Sequence, residues 1–425
     1  MIKDIQLYEL FGRFNYKISM KSDGVTIITG PNGFGKSTIL RIIDALNSGN
    51  IEFFMDLDFS KIMITFDNGE KATIQKSNKK FSIDDISISL LDNEKLRFFQ
   101  RRLQAQQSNP SSRNRGDVPD YEMIYSFALE DYRYVSDFSP KSKDLQSFYR
   151  IQQKLKQIKG WCGDVRFISD QRLLRKAKKR TGPDRGREIV DVIQELPNCL
   201  KAEISKVSEE YSHIANTLDG SYPTRLFAAR TGIRDQAEYE AKLKETNEKF
   251  EKLRKYDLVE LSIISEEKYN ESYSTALKIY FDDFAAKYTV FQDLISKLDL
   301  FTKIINSRLT FKHLQITREN GFVIVDNNPQ KKLNLSQLSS GEKQEIVLFY
   351  ELIFDTRKEL LLLIDEPEIS LHITWQKKFL DDLLEVSKLI ALHAIVATHS
   401  PQIVSSHLDI QIDLGELYGE ELDTQ

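Results

Sequence analysis

The chain has 425 residues, with 60 Lys and Arg against 64 Asp and Glu and a formal charge of −4. At 40% hydrophobic and 29% charged residues it holds enough apolar material for a sizeable core, which excludes wholesale disorder. The near-neutral balance excludes a histone-like polycation, so any nucleic-acid contact has to come from a local patch. At roughly 150 residues per domain, the length predicts about three units. Two cysteines, Cys162 and Cys199, exclude a disulfide scaffold and a four-cysteine zinc site, and a reducing cytoplasm is the default. The longest aliphatic run, Leu360 to Ile364, falls far short of the roughly 20 residues a membrane helix needs. The opening MIKDIQLYEL is charged from its third residue, so a secretory signal is not expected.

Residues 1–90 read as α/β. Val25 to Thr29 is a short buried strand, followed by a glycine-rich turn and an amphipathic helix to about Leu46. The turn, Gly30-Pro-Asn32-Gly33-Phe-Gly35-Lys36-Ser37-Thr38, fits G-x-x-x-x-G-K-[ST] in the strand-turn-helix context this motif requires. Glycines let successive backbone N–H groups curl around phosphate oxygens, and the helix that follows aims its positive end at the same place. Lys36 is then expected to reach the β and γ phosphates of ATP, and Ser37 to ligate Mg²⁺.

Lys61–Phe66 and Lys71–Gln75 flank Asp67-Asn-Gly-Glu70, a hairpin signal in which Asn-Gly supplies positive φ angles. Residues 100–120 have a loop-like composition, 146–160 a helical pattern, and Val165–Ser169 the look of a buried strand. The stretch Gln171–Arg187 holds eight positive residues against one Asp. It is either a solvated loop paired with acidic surface, or a face for phosphate, nucleic acid (Arg172–Arg187) or an acidic partner. Arg97, Arg101, Arg102, Arg113 and Arg115 would extend it.

From about 186 to 306 the pattern is mainly helical. Leu243, Phe250 and Leu253 recur at near-heptad spacing within 235–256, a length of about 30 Å as helix, hence a short arm or bundle. Leu277, Phe284, Tyr288, Phe291, Ile295, Leu298 and Phe301 form one broad apolar face that reads as core packing. Beyond Arg308 the period shifts toward two, and Lys312–Thr317 and Gly321–Asp326 read as paired strands.

Three motifs crowd the last quarter. Leu338-Ser339-Ser340-Gly341-Glu-Lys-Gln344 opens the apolar helical run Glu345–Phe354, with Ser339 or Ser340 as N-cap and a backbone anion site at the turn. Leu361–Ile364 is a buried parallel strand that delivers Asp365 and Glu366 to the ligand edge of a sheet. There Asp365 is expected to hold Mg²⁺ through water, and Glu366 to orient or deprotonate the attacking water. His399, in Ile395-Val-Ala-Thr-His399-Ser-Pro401, follows the next strand and is placed to sense a γ-phosphate.

In order and content these motifs resemble the ATP-binding-cassette ATPases of the SMC and Rad50 type. The resemblance covers about residues 1–80 and 310–405 and includes Ser370-Leu-His372 at the dimer-contact position. It implies an α/β fold, an ABC-type P-loop ATPase head formed by both ends of the chain with a mainly helical insertion. The expected division is an N-terminal lobe over 1–185, a helical insertion over 186–306 and a C-terminal lobe over 307–425. Gln171, in Ile168-Ser-Asp-Gln171-Arg172, matches the Q-loop glutamine that contacts Mg²⁺ and the attacking water, and Arg13 and Phe14 lie where this class often touches the nucleotide.

The phosphate loop and the signature stand about 300 residues apart, much further than in transporter cassettes, while no long coiled-coil arm fits between them. The chain is most similar to the compact prokaryotic group with LSSGEKQ, IDEPEISLH, Trp375-Gln376 and ATHSPQ, which includes the ATPase subunits of antiviral defence systems such as Septu, its retron-associated relatives and PARIS. That resemblance implies a head-to-tail homodimer, with Lys36, Asp365 and Glu366 facing the partner's copy of Ser339 and Gly341 across ATP. Related nucleases append a catalytic domain after the ATPase. Only about 25 residues follow His399 here, so a separate nuclease or toxin chain is the expected effector, with no nuclease activity in this chain alone. The alternative is a RecF- or SMC-like ATPase that clamps DNA in repair or recombination. A scaffold that binds ATP without hydrolysing it is a third reading, disfavoured by the presence of Glu366 and His399.

Overall fold

The computed structural model describes residues 1–77, 80–89, 143–168, 174–178, 187–259, 268–355, 360–369 and 371–418. The expectations at Gln171, at the 100–120 loop, at the five arginines between 97 and 115, at Ser370 and over much of 172–187 lie outside these residues. Contacts divide the chain into two compact units. One comprises Met1–Asp170, Arg357–Ile369 and Gln376–Gln425; the other comprises Gln171–Thr356 and Ser370–Trp375.

The first unit is built on two sheets. A five-stranded parallel sheet has the order Gln411–Asp413, Val25–Thr29, His393–Ala397, Leu361–Asp365, Val165–Ile168. Its central strands are buried on both faces, which is why they read as unbroken aliphatic runs. The second sheet is antiparallel, in the order Phe14–Ser19, Ile2–Leu10, Lys61–Phe66, Lys71–Ser77, Lys80–Ile83, Ile86–Ser89. Its strands alternate buried and open residues, as a sheet with one wet face does. Helix Lys36–Ser48 and helix Lys143–Cys162 supply Ile39, Ile43, Leu46, Ile151 and Leu155 to the core that these sheets share.

The hairpin joining Lys61–Phe66 to Lys71–Ser77 differs from the two-residue turn that Asn-Gly suggests. Only Gly69 takes a positive φ, at 83°, and the loop closes through Phe66 N–H to the Glu70 carbonyl and Gly69 N–H to the Phe66 carbonyl. Asp67 N–H donates to the carbonyl of Met1, just ahead of the neighbouring strand.

The second unit is mainly helical. Helices Val192–Ala228, Gln236–Lys255 and Ser274–Asn306 form the arm, and Arg225 holds Asp283 with a bidentate fork at 2.5 and 2.7 Å. Leu243, Phe250 and Leu253 are buried, as are Phe284, Tyr288, Phe291, Ile295, Leu298 and Phe301 of helix Ser274–Asn306, whereas Leu277 is only half-buried. A small antiparallel sheet, Lys312–Thr317, Gly321–Asp326 and Lys332–Leu333, precedes helix Ser340–Ile353. Within the basic segment, Leu174–Lys178 pairs antiparallel with Arg187–Asp191, with Arg187 opposite Lys178. No helix among the described residues is long and apolar enough to cross a membrane.

Candidate nucleotide site

The phosphate loop leaves the end of strand Val25–Thr29 and enters helix Lys36–Ser48. Gly30, Gly33 and Gly35 have φ of 140°, 84° and 94°, backbone that side chains rarely tolerate. A Cβ on Gly35 would sit 2.9 Å from Leu10 Cδ2, a close approach of strand Ile2–Leu10 that adds to the cost the positive φ already sets for a side chain here. Gly35 is also the N-cap and supplies no side-chain acceptor, so the first N–H groups of the helix are left for another acceptor. Phe34, the residue between two of these glycines, receives a hydrogen bond from Tyr16 Oη at its carbonyl, 3.0 Å, and packs its ring on Phe14, 5.0 Å between centroids. Tyr418 closes the same aromatic cluster, 5.4 Å from Phe14 and 5.8 Å from Phe34.

Two parallel strands of the same sheet bring in the distant residues: the loop strand's neighbour His393–Ala397 and, one strand further out, Leu361–Asp365. Asp365 ends strand Leu361–Asp365, and Ser37 Oγ donates to its Oδ1 at 2.9 Å. Glu366 follows with a φ of 45°, a strained left-handed backbone, and its N–H is bonded to the Ala397 carbonyl at 2.9 Å. His399 lies just past strand His393–Ala397. Lys36 Nζ donates to the Gly30 carbonyl at 2.8 Å and the Pro31 carbonyl at 3.1 Å, and stands 3.2 Å from His399 Nδ1. An ammonium can only donate, so Nδ1 accepts and the imidazole proton sits on Nε2, which faces Glu366 Oε1 at 3.6 Å. Burial pushes the Lys36 ammonium below its ordinary value, while Glu366, Asp365, Glu368 and Asp413 oppose that shift.

Lys36, Ser37, Asp365, Glu366 and His399 therefore converge. Residues not singled out from sequence join them. Asp413 Oδ2 accepts from Thr29 Oγ1 at 2.9 Å, and Gln411 Nε2 donates to the same hydroxyl at 2.7 Å. Glu368 Oε1 accepts the His399 backbone N–H at 2.7 Å. No spacing signal marks Asp413, because its strand is three residues long and half-buried. The acidic doublet with an intervening residue, Glu366-Pro-Glu368, was the one available hint for Glu368.

In the second unit, Ser339 caps helix Ser340–Ile353. Its Oγ accepts the Glu342 N–H at 3.3 Å while Glu342 Oε2 receives the Ser339 N–H at 2.9 Å, a complete capping box. Ser339 and Ser340 are exposed. Gly341 lies against Trp375, where an added Cβ would stand 3.3 Å from Cζ3. Lys312 Nζ pairs with Glu342 at 3.0 Å, and Glu342 is held below the ordinary carboxylate value: burial pushes it up, but the Ser339 N–H, Lys312 and the Ser339 hydroxyl outweigh that.

The parallel sheet, the glycine loop at its edge and the lysine within it define a P-loop ATPase. Residues 1–404 match the AAA ATPase domain family, and the chain belongs to it. No curated protein matches the chain. Among solved structures, it is similar to the Smc head domain of Pyrococcus furiosus, with an extended coiled coil and bound to the C-terminal domain of ScpA, at 14% identity over 97% of this chain and 92% of that one, TM-score 0.38. A SmcHead bound to the C-winged helix domain of ScpA aligns at 12% identity over 95% and 90%, TM-score 0.36. The SMC head domain from Thermotoga maritima aligns at 12% identity over 95% and 90%, TM-score 0.32.

Proposed function

We propose that the chain is a cytoplasmic ATPase that uses ATP as removable glue between two copies of itself, and so controls a separate effector chain, a nuclease or toxin, in an antiviral defence complex. The convergence of Lys36, Ser37, Asp365, Glu366 and His399 around one phosphate loop supports the ATPase part of this reading, and the motif resemblance supports the glue and effector parts. The donor set fits Mg²⁺. Ser37 Oγ and Asp365 are hard oxygen donors already 2.9 Å apart, and two protein ligands plus substrate phosphates is the usual way that ion is held. When bound, the ion supplies charge neutralisation on the phosphate oxygens.

The chain's own residues do the rest. The loop from Gly30 through Asn32, Gly33 and Gly35 to Thr38 wraps the phosphates with backbone N–H groups, and Lys36 turns its ammonium onto them. Glu366 orients the attacking water and takes its proton, and His399 reads the terminal phosphate from the other side. Gln171 belongs with this group by its motif. Ser339, Ser340 and Gly341 offer an exposed helix start to the nucleotide held by the second copy.

The DNA-clamp reading keeps one supporting observation: Leu174–Lys178, whose sequence is Leu-Arg-Lys-Ala-Lys, pairs antiparallel with Arg187–Asp191, which brings two stretches of the basic segment together.

The test is the mass of the Glu366→Gln variant with and without ATP, by light scattering on a size-exclusion column. The expected outcome is a monomer without nucleotide and a doubled mass with ATP, while wild type returns to monomer as ATP is consumed. Equal masses in all conditions would discard the glue mechanism.

A further inference from the structure

The switch loop of His399 is held by a residue that the hydrolysis scheme does not use. His399 N–H donates to Glu368 Oε1 at 2.7 Å. The Glu368 carbonyl in turn accepts Gln376 Nε2 at 3.3 Å, and Gln376 Oε1 accepts the Ser400 hydroxyl at 2.8 Å. Ser400 N–H closes onto Thr398 Oγ1 at 3.0 Å. Glu368 therefore grips His399 directly, and Gln376 ties the backbone of Glu368 to the next residue of the same loop. The second carboxylate oxygen of Glu368 is buried and has no hydrogen-bond partner among the described residues. A carboxylate oxygen held out of water without a partner is costly unless the charge-assisted bond made by its companion oxygen fixes something.

What it fixes is the position of an imidazole that must meet two groups at once. Nδ1 faces Lys36 at 3.2 Å and Nε2 faces Glu366 at 3.6 Å. The ring is about one-third exposed, so packing alone does not hold it. Glu366 and Glu368 leave the same strand end on either side of Pro367. The left-handed backbone at Glu366, φ 45°, turns the chain there.

We propose that Glu368 is a positioning residue of the ATPase. It anchors the backbone of His399 while Glu366 addresses the ring, so that two glutamates, two residues apart, bracket one histidine; Gln376 braces the bracket. This rests on the ATPase reading of His399 and Glu366 given above.

Three variants test it: Glu368→Ala removes the acceptor, Glu368→Gln keeps it as an amide oxygen, and Gln376→Ala removes the brace. In steady-state ATP hydrolysis, Glu368→Ala is expected to lower kcat by about tenfold or more with little change in KM, the scale of a lost hydrogen bond to a charged group. Glu368→Gln should recover most of that loss, and Gln376→Ala should fall between. In a His399→Ala background, Glu368→Ala should add less than about twofold, because its effect passes through the histidine.

A second readout needs no turnover. Nitrogen-15 spectra of the six histidine rings should show His399 as the Nε2-protonated tautomer in wild type and Glu368→Gln, and an averaged ring in Glu368→Ala. An unchanged His399 signal in Glu368→Ala overturns the proposal, as does a full additional loss in the His399→Ala background. A wild type that does not hydrolyse ATP would sink the ATPase reading instead, and the ring spectra would still decide the role of Glu368.

Discussion

Lys36 is 5% exposed, and its ammonium is crowded by two backbone carbonyls and an imidazole. Burial depresses its proton affinity, and four nearby carboxylates hold the charge in place. Such a cation is preorganised for a polyanion, because the cost of desolvating it is already met in the folded protein. Lys36→Ala is expected to weaken ATP binding by about 10- to 100-fold, the worth of a charge-assisted contact in a half-buried site; calorimetric titration of ATP measures it, and an unchanged Kd would remove Lys36 from the site. This residue was legible because its whole context is contiguous: strand, glycines, lysine and helix occupy fourteen positions from Val25 to Thr38. Glu368 was not, because its meaning is a hydrogen bond to a backbone N–H 31 residues away, and nothing local distinguishes that carboxylate from a solvated one.

At the scale of elements, the long helices and the buried strands follow from hydrophobic period. The face from Phe284 to Phe301 is buried, as its spacing requires. Short or charged strands escape that signal. Gln411–Asp413 and the pair Leu174–Lys178 and Arg187–Asp191 are strands by hydrogen bonding to neighbours, with no apolar alternation to announce them. Gly321 is another case. It begins a strand with a φ of 67°, and a Cβ there would stand 1.9 Å from the Pro197 carbonyl, a contact invisible in sequence.

The helix that opens with the Ser339–Gly341 motif is fixed at its second turn by a buried ion pair. Glu345 Oε2 meets Arg308 Nε at 3.1 Å with both side chains 2% exposed, and the guanidinium lies 4.8 Å over the Phe349 ring. Arg308 directly follows the arm helix Ser274–Asn306, so this pair joins the arm's end to the motif helix. Removing one member of a buried pair is far more damaging than replacing both. Glu345→Ala is therefore expected to destabilise the protein by about 3–5 kcal/mol, whereas Arg308→Met with Glu345→Leu costs little. Urea denaturation of both variants measures the difference, and a loss below about 1 kcal/mol in Glu345→Ala would mean that water already screens the pair.

At the scale of the whole molecule, the parallel sheet explains why both ends of the chain are needed for one site. The loop strand Val25–Thr29 lies between His393–Ala397 and Gln411–Asp413, and Leu361–Asp365 is the next strand outward. Residues more than 300 positions apart therefore meet at one sheet edge: Lys36 with His399, and Ser37 with Asp365. Under the glue mechanism proposed above, ATP binding and consumption shift self-association, and a ligand shifts a population only by its differential affinity for the two states. If that shift controls an effector, the effector has to contact the assembled form more tightly than the separated one. The Glu366→Gln variant, which prolongs the assembled form, should then retain more of a bound partner than wild type when tagged protein is pulled from its native host in ATP. A stoichiometric nuclease or toxin, identified by mass spectrometry and enriched in Glu366→Gln, is the expected result. A protein-free preparation rich in salt-sensitive DNA would transfer the same mechanism to a DNA clamp, with the strand pair at 174–191 as the first surface to neutralise.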